Sequence, residues 1–248
     1  MKHLYRLFLF ITLVSLCSFN SYANDAASLD SADVQLLKKK PLDWCLGFHF
    51  ANSVPQKEFY SNLGNAGLGF MINGSGWLKN TPLAIGGVLG FVMFSYDEHY
   101  YNYRDGWLYD EEDVLTTSMT EIPLALTLRF QPSTNWLRPY FEGIAGGNFI
   151  ITSADYESYS GYDDSSEGKF SATWFYGFGA GIDFRILNYA ASNGGRATLN
   201  LTFAINYYNG SNVKYYTVDA YNDMTVSFHP YKSKTDQIVT LVGVTLGF

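Results

Sequence analysis

Cysteine is nearly absent: Cys17 and Cys45 are the only two. Once the first is assigned to a leader, one thiol remains, and no intramolecular disulfide can staple the fold. Basic residues are also few, 16 Lys and Arg against 23 Asp and Glu, for a formal net charge of −7. That balance excludes nucleic acid as an expected partner, because phosphate binding needs a surplus of Lys and Arg. Beyond the N-terminal stretch no segment offers the roughly eighteen continuous apolar residues of a membrane helix. What the chain does have is aromatic residues at 18% and 23 glycines. A soluble all-β domain shows such a composition, and so does a chain whose apolar side chains point outward.

The N-terminus reads as a secretory signal peptide. A basic MKHLYR precedes the apolar LFLFITLVSLCSF, and Ser21-Tyr22-Ala23 follows as an A-x-A-like cleavage site. The apolar run is too short for a good membrane span, so the chain is expected to be exported after cleavage near Ala23. Leu16 stands where a lipidation site at Cys17 would need a small residue. Loss of Lys2 and Arg6 with the leader moves the net charge from −7 to −9. The expected organisation is a signal peptide over 1–23, a periplasmic tail over 24–41 ending in LLKKK, and one β-domain over 42–248.

Period-two alternation runs through that domain and places one side-chain class on each face of a strand. Leu199, Leu201, Phe203, Ile205 and Tyr207 alternate with Thr198, Asn200, Thr202, Ala204, Asn206 and Tyr208. Trp174, Tyr176, Phe178, Ala180, Ile182 and Phe184 alternate with Thr173, Phe175, Gly177, Gly179, Gly181, Asp183 and Arg185. Similar runs at 44–51 and 122–130, and weaker ones near 64–77, 83–97, 139–152 and 236–248, bring the count to eight strands. Connections alternate too: 53–63, 98–114, 153–168 and 210–235 are long, and 78–82, 131–138 and 187–195 are shorter. One face is apolar without interruption, and the other is small or polar with few exposed-type charges. A lipocalin-like barrel or a sandwich would carry Lys and Glu on its outward face. The pattern therefore predicts an all-β, transmembrane, antiparallel up-and-down β-barrel of eight strands, with short periplasmic turns and long outer loops. Trp44, Trp77, Trp136 and Tyr140 are expected in the inner aromatic girdle, and Trp174 and Tyr207 in the outer one.

Signal peptide, eight strands and the closing VTLVGVTLGF together resemble the small outer-membrane barrels of Gram-negative bacteria: the OmpA membrane domain, the OmpX/Ail group and the opacity-type β-barrel families. The resemblance implies a C-terminal assembly signal read by the barrel assembly machinery. Gly243, Leu246 and Phe248 match it, while Leu241 departs from the polar residue usual two places before the Gly. LRPYFEGIAGG from Leu137 to Gly147 is similar to the fifth strand of such proteins. Outer-membrane localisation and contact with outer-membrane lipids and lipopolysaccharide follow as expectations, but these families share architecture and not one activity.

Candidate sites are sparse. His49, His99 and His229 are the mature histidines. None carries the His-x-Ser or His-x-Thr pair of barrel deacylases, and nothing in the spacing gathers them into a metal site. No catalytic residue, cofactor or metal is expected. Arg129 and Glu142 flank one turn and face each other across an antiparallel pair, predicting a lumenal ion pair. Glu121, Asp183 and Arg185 also point inward and complete a lumenal charge network. DEHYYNYRDGWLYDEED from Asp97 to Asp113 has seven acids and one Arg, and SADYESYSGYDDSSEGK follows at 153–169. These Tyr- and acid-rich stretches are the candidates for contact with an extracellular ligand or host protein. The segment 210–235 alternates in part and is expected to extend above the barrel as a hairpin. Three functions stay open: a structural or surface-interaction role in envelope integrity, adhesion or host-factor resistance; a small porin-like channel or route for hydrophobic molecules; and, less favoured, a lipid A-modifying enzyme.

Overall fold

Alternation with a steady sense through the belt lets the sheet close only one way there, with one side-chain class inside. A computed structural model describes residues 44–78, 81–104, 110–133, 135–157, 165–190, 196–220 and 226–248. The signal peptide and the tail fall outside these residues, as do 105–109, 158–164, 191–195 and 221–225 of the long and short connections. Among the described residues there are ten strands: β1 (Trp44–Pro55), β2 (Gly67–Trp77), β3 (Leu83–Arg104), β4 (Asp110–Phe130), β5 (Leu137–Glu157), β6 (Ser165–Ala190), β7 (Arg196–Gly210), β8 (Asn212–Ala220), β9 (Val226–Lys234) and β10 (Gln237–Gly247). A short helix, α1, covers Lys57–Leu63.

Eight of the strands form a closed antiparallel barrel in the order β1-β10-β7-β6-β5-β4-β3-β2, and β8 and β9 form a separate two-stranded sheet. The barrel closes where β1 meets β10, from Cys45 opposite Gly247 to Pro55 opposite Gln237. Backbone bonds exchanged by Trp44 and Phe248, at 3.1 and 3.0 Å, finish the seam. Gly243 is required there, since a Cβ on it would lie 2.1 Å from the Phe48 carbonyl oxygen and 2.5 Å from His49 Cα. Closure leaves no free edge at the level where all eight strands pair on both sides, so the backbone there is satisfied within the barrel. β1 has 12 residues. At about 3.4 Å per residue and a tilt of about 40°, it crosses roughly 30 Å, the thickness of a bilayer's hydrocarbon core.

The structure departs from the expected loops in four places. Most of 98–114 and 153–168 is strand, because β3–β4 pair as far as Arg104 with Asp110, and β5–β6 as far as Tyr156 with Ser165. The 53–63 connection holds the end of β1 and then α1. The 210–235 hairpin does not stand free above the barrel; β8 and β9 fold back over its mouth. β3 to β6 thus form a tall wall, while β1, β2, β7 and β10 stop lower.

Candidate functional site

Inward side chains stack in layers from the turn end to the mouth. Nearest the turns, Asp183 accepts hydrogen bonds from Gln131 Nε2 at 2.8 Å and Thr202 Oγ1 at 2.8 Å. Thr202 also meets Thr245 at 2.9 Å. Arg138, buried in this layer, donates to Asn200 Oδ1, and Asn200 Nδ2 donates to the Thr245 carbonyl at 3.1 Å. Arg185 sits half-buried at the same end, opposite Asn200 in register, its backbone N–H bonded to Trp136 O at 2.8 Å.

One layer up, Arg129 donates through Nη2 and Nε to Glu142 Oε2 at 3.0 and 3.2 Å. Its guanidinium lies 3.9 Å from the centroid of the Tyr140 ring. Tyr140 can reach that place because Gly181 has no side chain: a Cβ there would be 2.4 Å from Tyr140 Cζ. Tyr140 is only 1% exposed, which corrects its expected place in the aromatic girdle. It shares parity with Glu142 on β5, so it must share the lumen. A cavity of about 20 Å³, room for one water, opens beside His49, Asn73, Asn206 and this pair. Neither nitrogen of buried His49 has a hydrogen-bond partner in the structure.

Above these lies Glu121, buried on β4, which accepts from Asn148 Nδ2 and from Gln237 Nε2 at 2.5 Å. Of the five charged residues expected in the lumen, Arg129 and Glu142 are brought together. Asp183 sits with Gln131 and Thr202, Glu121 is apart with two amides, and Arg185 marks the rim. Arg138 and Asn148 are not among the lumenal residues read from the sequence, although both share the inward parity of Glu142; Gln237 falls on the inward row of the closing strand.

A roof covers the mouth. Tyr215 of β8 is fully buried against Phe59 of α1, with ring centroids 5.3 Å apart, and its hydroxyl contacts Asn62 Nδ2 at 2.6 Å and Ser233 Oγ at 3.0 Å. From the tall wall, Thr152 Oγ1 donates to Tyr216 O at 2.7 Å and Ser171 Oγ to Lys214 O at 2.6 Å. Between wall and hairpin these side-chain contacts replace a backbone ladder. Leu115, Met119, Ile150 and Ala154 on the wall's inner face are buried. At the hinge, Lys57 Nζ pairs with Asp236 Oδ2 at 2.7 Å, and Asp236 Oδ1 accepts from the Gly210 N–H at 3.2 Å. Lys57 has φ 56°, a left-handed conformation costly for a non-glycine residue. The Asp236 carboxylate raises the Lys57 ammonium above its ordinary range.

Outside, the wall is an apolar belt of Phe48, Phe50, Leu124, Leu126, Leu128, Phe178 and Ile205, all exposed. A contiguous apolar surface of this size needs a cover, and on a closed barrel whose polar groups are inside, the cover is lipid. Trp44 and Trp136 are exposed toward the turn end, with Trp77 half-buried beside them; Trp174, 75% exposed, and half-buried Tyr207 lie toward the mouth. Gly243 and Leu246 lie on β10 and Phe248 at the seam, with Leu246 and Phe248 facing out.

Above the belt the outer face changes character. A bulge between Met93 and Ser95 shifts β3, so Tyr96, Glu98 and Tyr100 face outward. Tyr96 Oη donates to Glu98 Oε1 at 2.6 Å and Tyr100 Oη to Glu98 Oε2. These two hydroxyls hold the Glu98 carboxyl below its ordinary range, Tyr100 having the larger effect. Ser118 and Ser153 meet at 2.9 Å alongside, and Ser166 donates to Asp155 at 2.5 Å. Among the described residues, no group of three or more His, Cys, Asp or Glu is placed to hold a metal ion.

Solved structures with a similar fold include three bacterial proteins. Neisserial surface protein A is 13% identical, with 82% of this chain and 96% of that chain covered at a TM-score of 0.44. Ail, the attachment invasion locus protein of Yersinia pestis, solved with the heparin analogue sucrose octasulfate, is 13% identical over 83% and 98% at 0.41. The outer membrane protein OprG of Pseudomonas aeruginosa is 11% identical over 86% and 98% at 0.38. No family model and no curated protein matches the chain.

Proposed function

We propose that this chain is an integral outer-membrane barrel whose tall β3–β6 wall is a surface for binding partners outside the cell. One observation carries the reading: the wall outruns its neighbours. β2 pairs with β3 only as far as Leu68 with Met93, and β7 with β6 only as far as Phe175 with Gly210. The upper parts of β3 and β6 therefore have one side without a barrel strand beside it. Strand edges of that kind accept an added extended segment through main-chain hydrogen bonds. Tyr96, Glu98 and Tyr100 supply side-chain chemistry along the β3 edge. The barrel's surroundings in this reading are outer-membrane lipid and lipopolysaccharide, with insertion by the barrel assembly machinery and an extracellular ligand or host protein at the wall.

The test is a shortened wall. A variant joining Ser95 to Met119 through a tight turn is displayed on a Gram-negative host and compared with the full chain for adhesion to host cells and matrix proteins. Lost adhesion with unchanged heat-modifiable gel migration supports the proposal; unchanged adhesion by a correctly folded variant refutes it. The channel reading has a separate outcome, since reproducible single-channel currents from the intact protein in planar bilayers would replace the binding role with transport.

A further inference from the structure

Glu121 is the most exceptional ionisable group in the barrel. It is 1% exposed, on the inner face of β4 just beneath the roof. Both of its hydrogen bonds fall on Oε1, from Asn148 Nδ2 and Gln237 Nε2. Its other oxygen, Oε2, has no partner, and neither does Asn148 Oδ1. Among the described residues the ion pairs join Lys57 to Asp236, Arg129 to Glu142 and Lys169 to Glu167, and none includes Glu121. The groups packed around it offer no cation. β3 presents Val92 and Phe94, β5 presents Asn148 and Ile150, β7 presents Tyr208, β8 presents Tyr215 and β10 presents Gln237. Lower in the lumen, Arg129 is engaged by Glu142; His49 faces the cavity beside that pair. Above, Asp236 is engaged by Lys57.

An ionised carboxylate buried without a cation is strongly disfavoured. We propose that Glu121 is a proton-binding site, a neutral carboxylic acid held in a reciprocal acid–amide pair with Asn148. One proton on Oε2 meets both unsatisfied atoms at once. The Oε2–H donates to Asn148 Oδ1 while Asn148 Nδ2–H donates to Oε1, closing a ring of two hydrogen bonds. The surrounding chain has the matching direction. Ser53 Oγ donates to Gln237 Oε1 at 2.5 Å, and Gln237 Nε2 donates onward to Glu121. Both amide N–H donors in contact with Glu121 fall on Oε1, so the acid's own proton is the donor that meets Asn148 Oδ1.

The position gives the proton a consequence. Gln237 opens β10 directly after Asp236, the residue that fastens the roof to Lys57. Release of the proton to solvent leaves a negative charge under the roof, and only water or a cation admitted past the hairpin can compensate it. The barrel is closed while Glu121 is protonated and loosens in alkali. This inference is independent of the surface-binding role.

The experiment uses the full mature chain refolded in phosphatidylcholine vesicles, as wild type, Glu121→Gln and Glu121→Ala. Infrared spectra of the wild type near neutral pH should contain a protonated-carboxyl C=O band that is absent in Glu121→Gln and fades from the wild type as the pH is raised. Gln donates its own N–H to Asn148 Oδ1, so Glu121→Gln should match wild type in unfolding midpoint at neutral pH and decline only where Lys57 loses its proton, whereas Glu121→Ala should fall at every pH. The infrared measurement on wild type alone keeps the test decisive if a variant fails to fold. A carboxylate band with no acid band at neutral pH overturns the proposal. So does a Glu121→Gln loss as large as that of Glu121→Ala, or a wild-type midpoint that rises with sodium or potassium while that of Glu121→Gln does not.

Discussion

Removing the Glu142 carboxylate while leaving Arg129 in place measures how far the lumen behaves as a packed, ion-paired core. The pair meets at 3.0 Å with both side chains almost wholly buried. At an effective dielectric near 20, Coulomb attraction at that separation is about 5 kcal/mol. Desolvation of both ions offsets most of that gain, so the intact pair adds little over an apolar pair of the same volume. Breaking it is different, because a bare buried guanidinium costs about 3–5 kcal/mol. The cavity beside the pair, about 20 Å³, admits one water and moves the expected loss toward the lower end. Glu142→Ala should therefore cost about 3 kcal/mol, and Arg129→Met with Glu142→Leu together much less than the two singles summed, with a coupling of about 2 kcal/mol. Urea unfolding in phosphatidylcholine vesicles, followed by tryptophan fluorescence at constant m-value, reads both quantities. A single-variant loss under about 1 kcal/mol, or a strictly additive double variant, would refute the buried-pair account and imply a wet lumen.

Leu126, 73% exposed in the middle of the belt, tests the outer face. Leu126→Arg should cost about 2–4 kcal/mol in vesicles, and a neutral result would mean the face is not against lipid. Gly181→Val should push the Tyr140 ring from beneath Arg129, since a Cβ would lie 2.4 Å from Tyr140 Cζ, at a cost of about 1–3 kcal/mol in the same unfolding assay. Lys57→Met removes the roof fastening, and timed proteolysis should cut β8–β9 faster while the barrel stays resistant. Because Asp236 raises the Lys57 ammonium above its ordinary range, the fastening is fully present at neutral pH and is lost as pH climbs through that raised value. Proteolysis of the wild-type hairpin should accelerate there, and an alkaline rate equal to the neutral one would count against the contact.

The barrel strands are legible in sequence wherever the two faces differ in chemistry. On β7 the contrast between Leu199–Tyr207 and Thr198–Tyr208 holds along the strand, and burial follows it residue by residue. Parity also contained more than composition suggested. Tyr140 reads as a girdle residue by type but shares its face with Glu142, and the same rule places Arg138 and Asn148 inside. Above the belt the contrast vanishes: outward Thr116 and Ser118 alternate with inward Thr117 and Met119, so strand reads as polar loop. The bulge between Met93 and Ser95 adds a shift in parity. The roof was illegible for another reason. Its contacts join α1, β5, β6, β8 and β9 through single side chains, and no local pattern announces a pairing between residues as distant as Asn62 and Tyr215.

The roof also bears on the choice between a pore and a binding surface. β4 and β5 rise beyond the belt with Leu115, Met119, Ile150 and Ala154 on their inner side. If the mouth stood open, that row would face water. Returning a Leu, Met or Ile side chain to water costs about 1.5–3 kcal/mol each as an upper estimate, and Tyr215 and Phe59 would follow. The few hydrogen bonds between wall and hairpin need not be strong, because the apolar row beneath them supplies the closing force. An open conduit must work against that force and also displace Arg129, Tyr140 and Glu142 below. Binding at the outer side of the same wall, as proposed for Tyr96, Glu98 and Tyr100, works against neither.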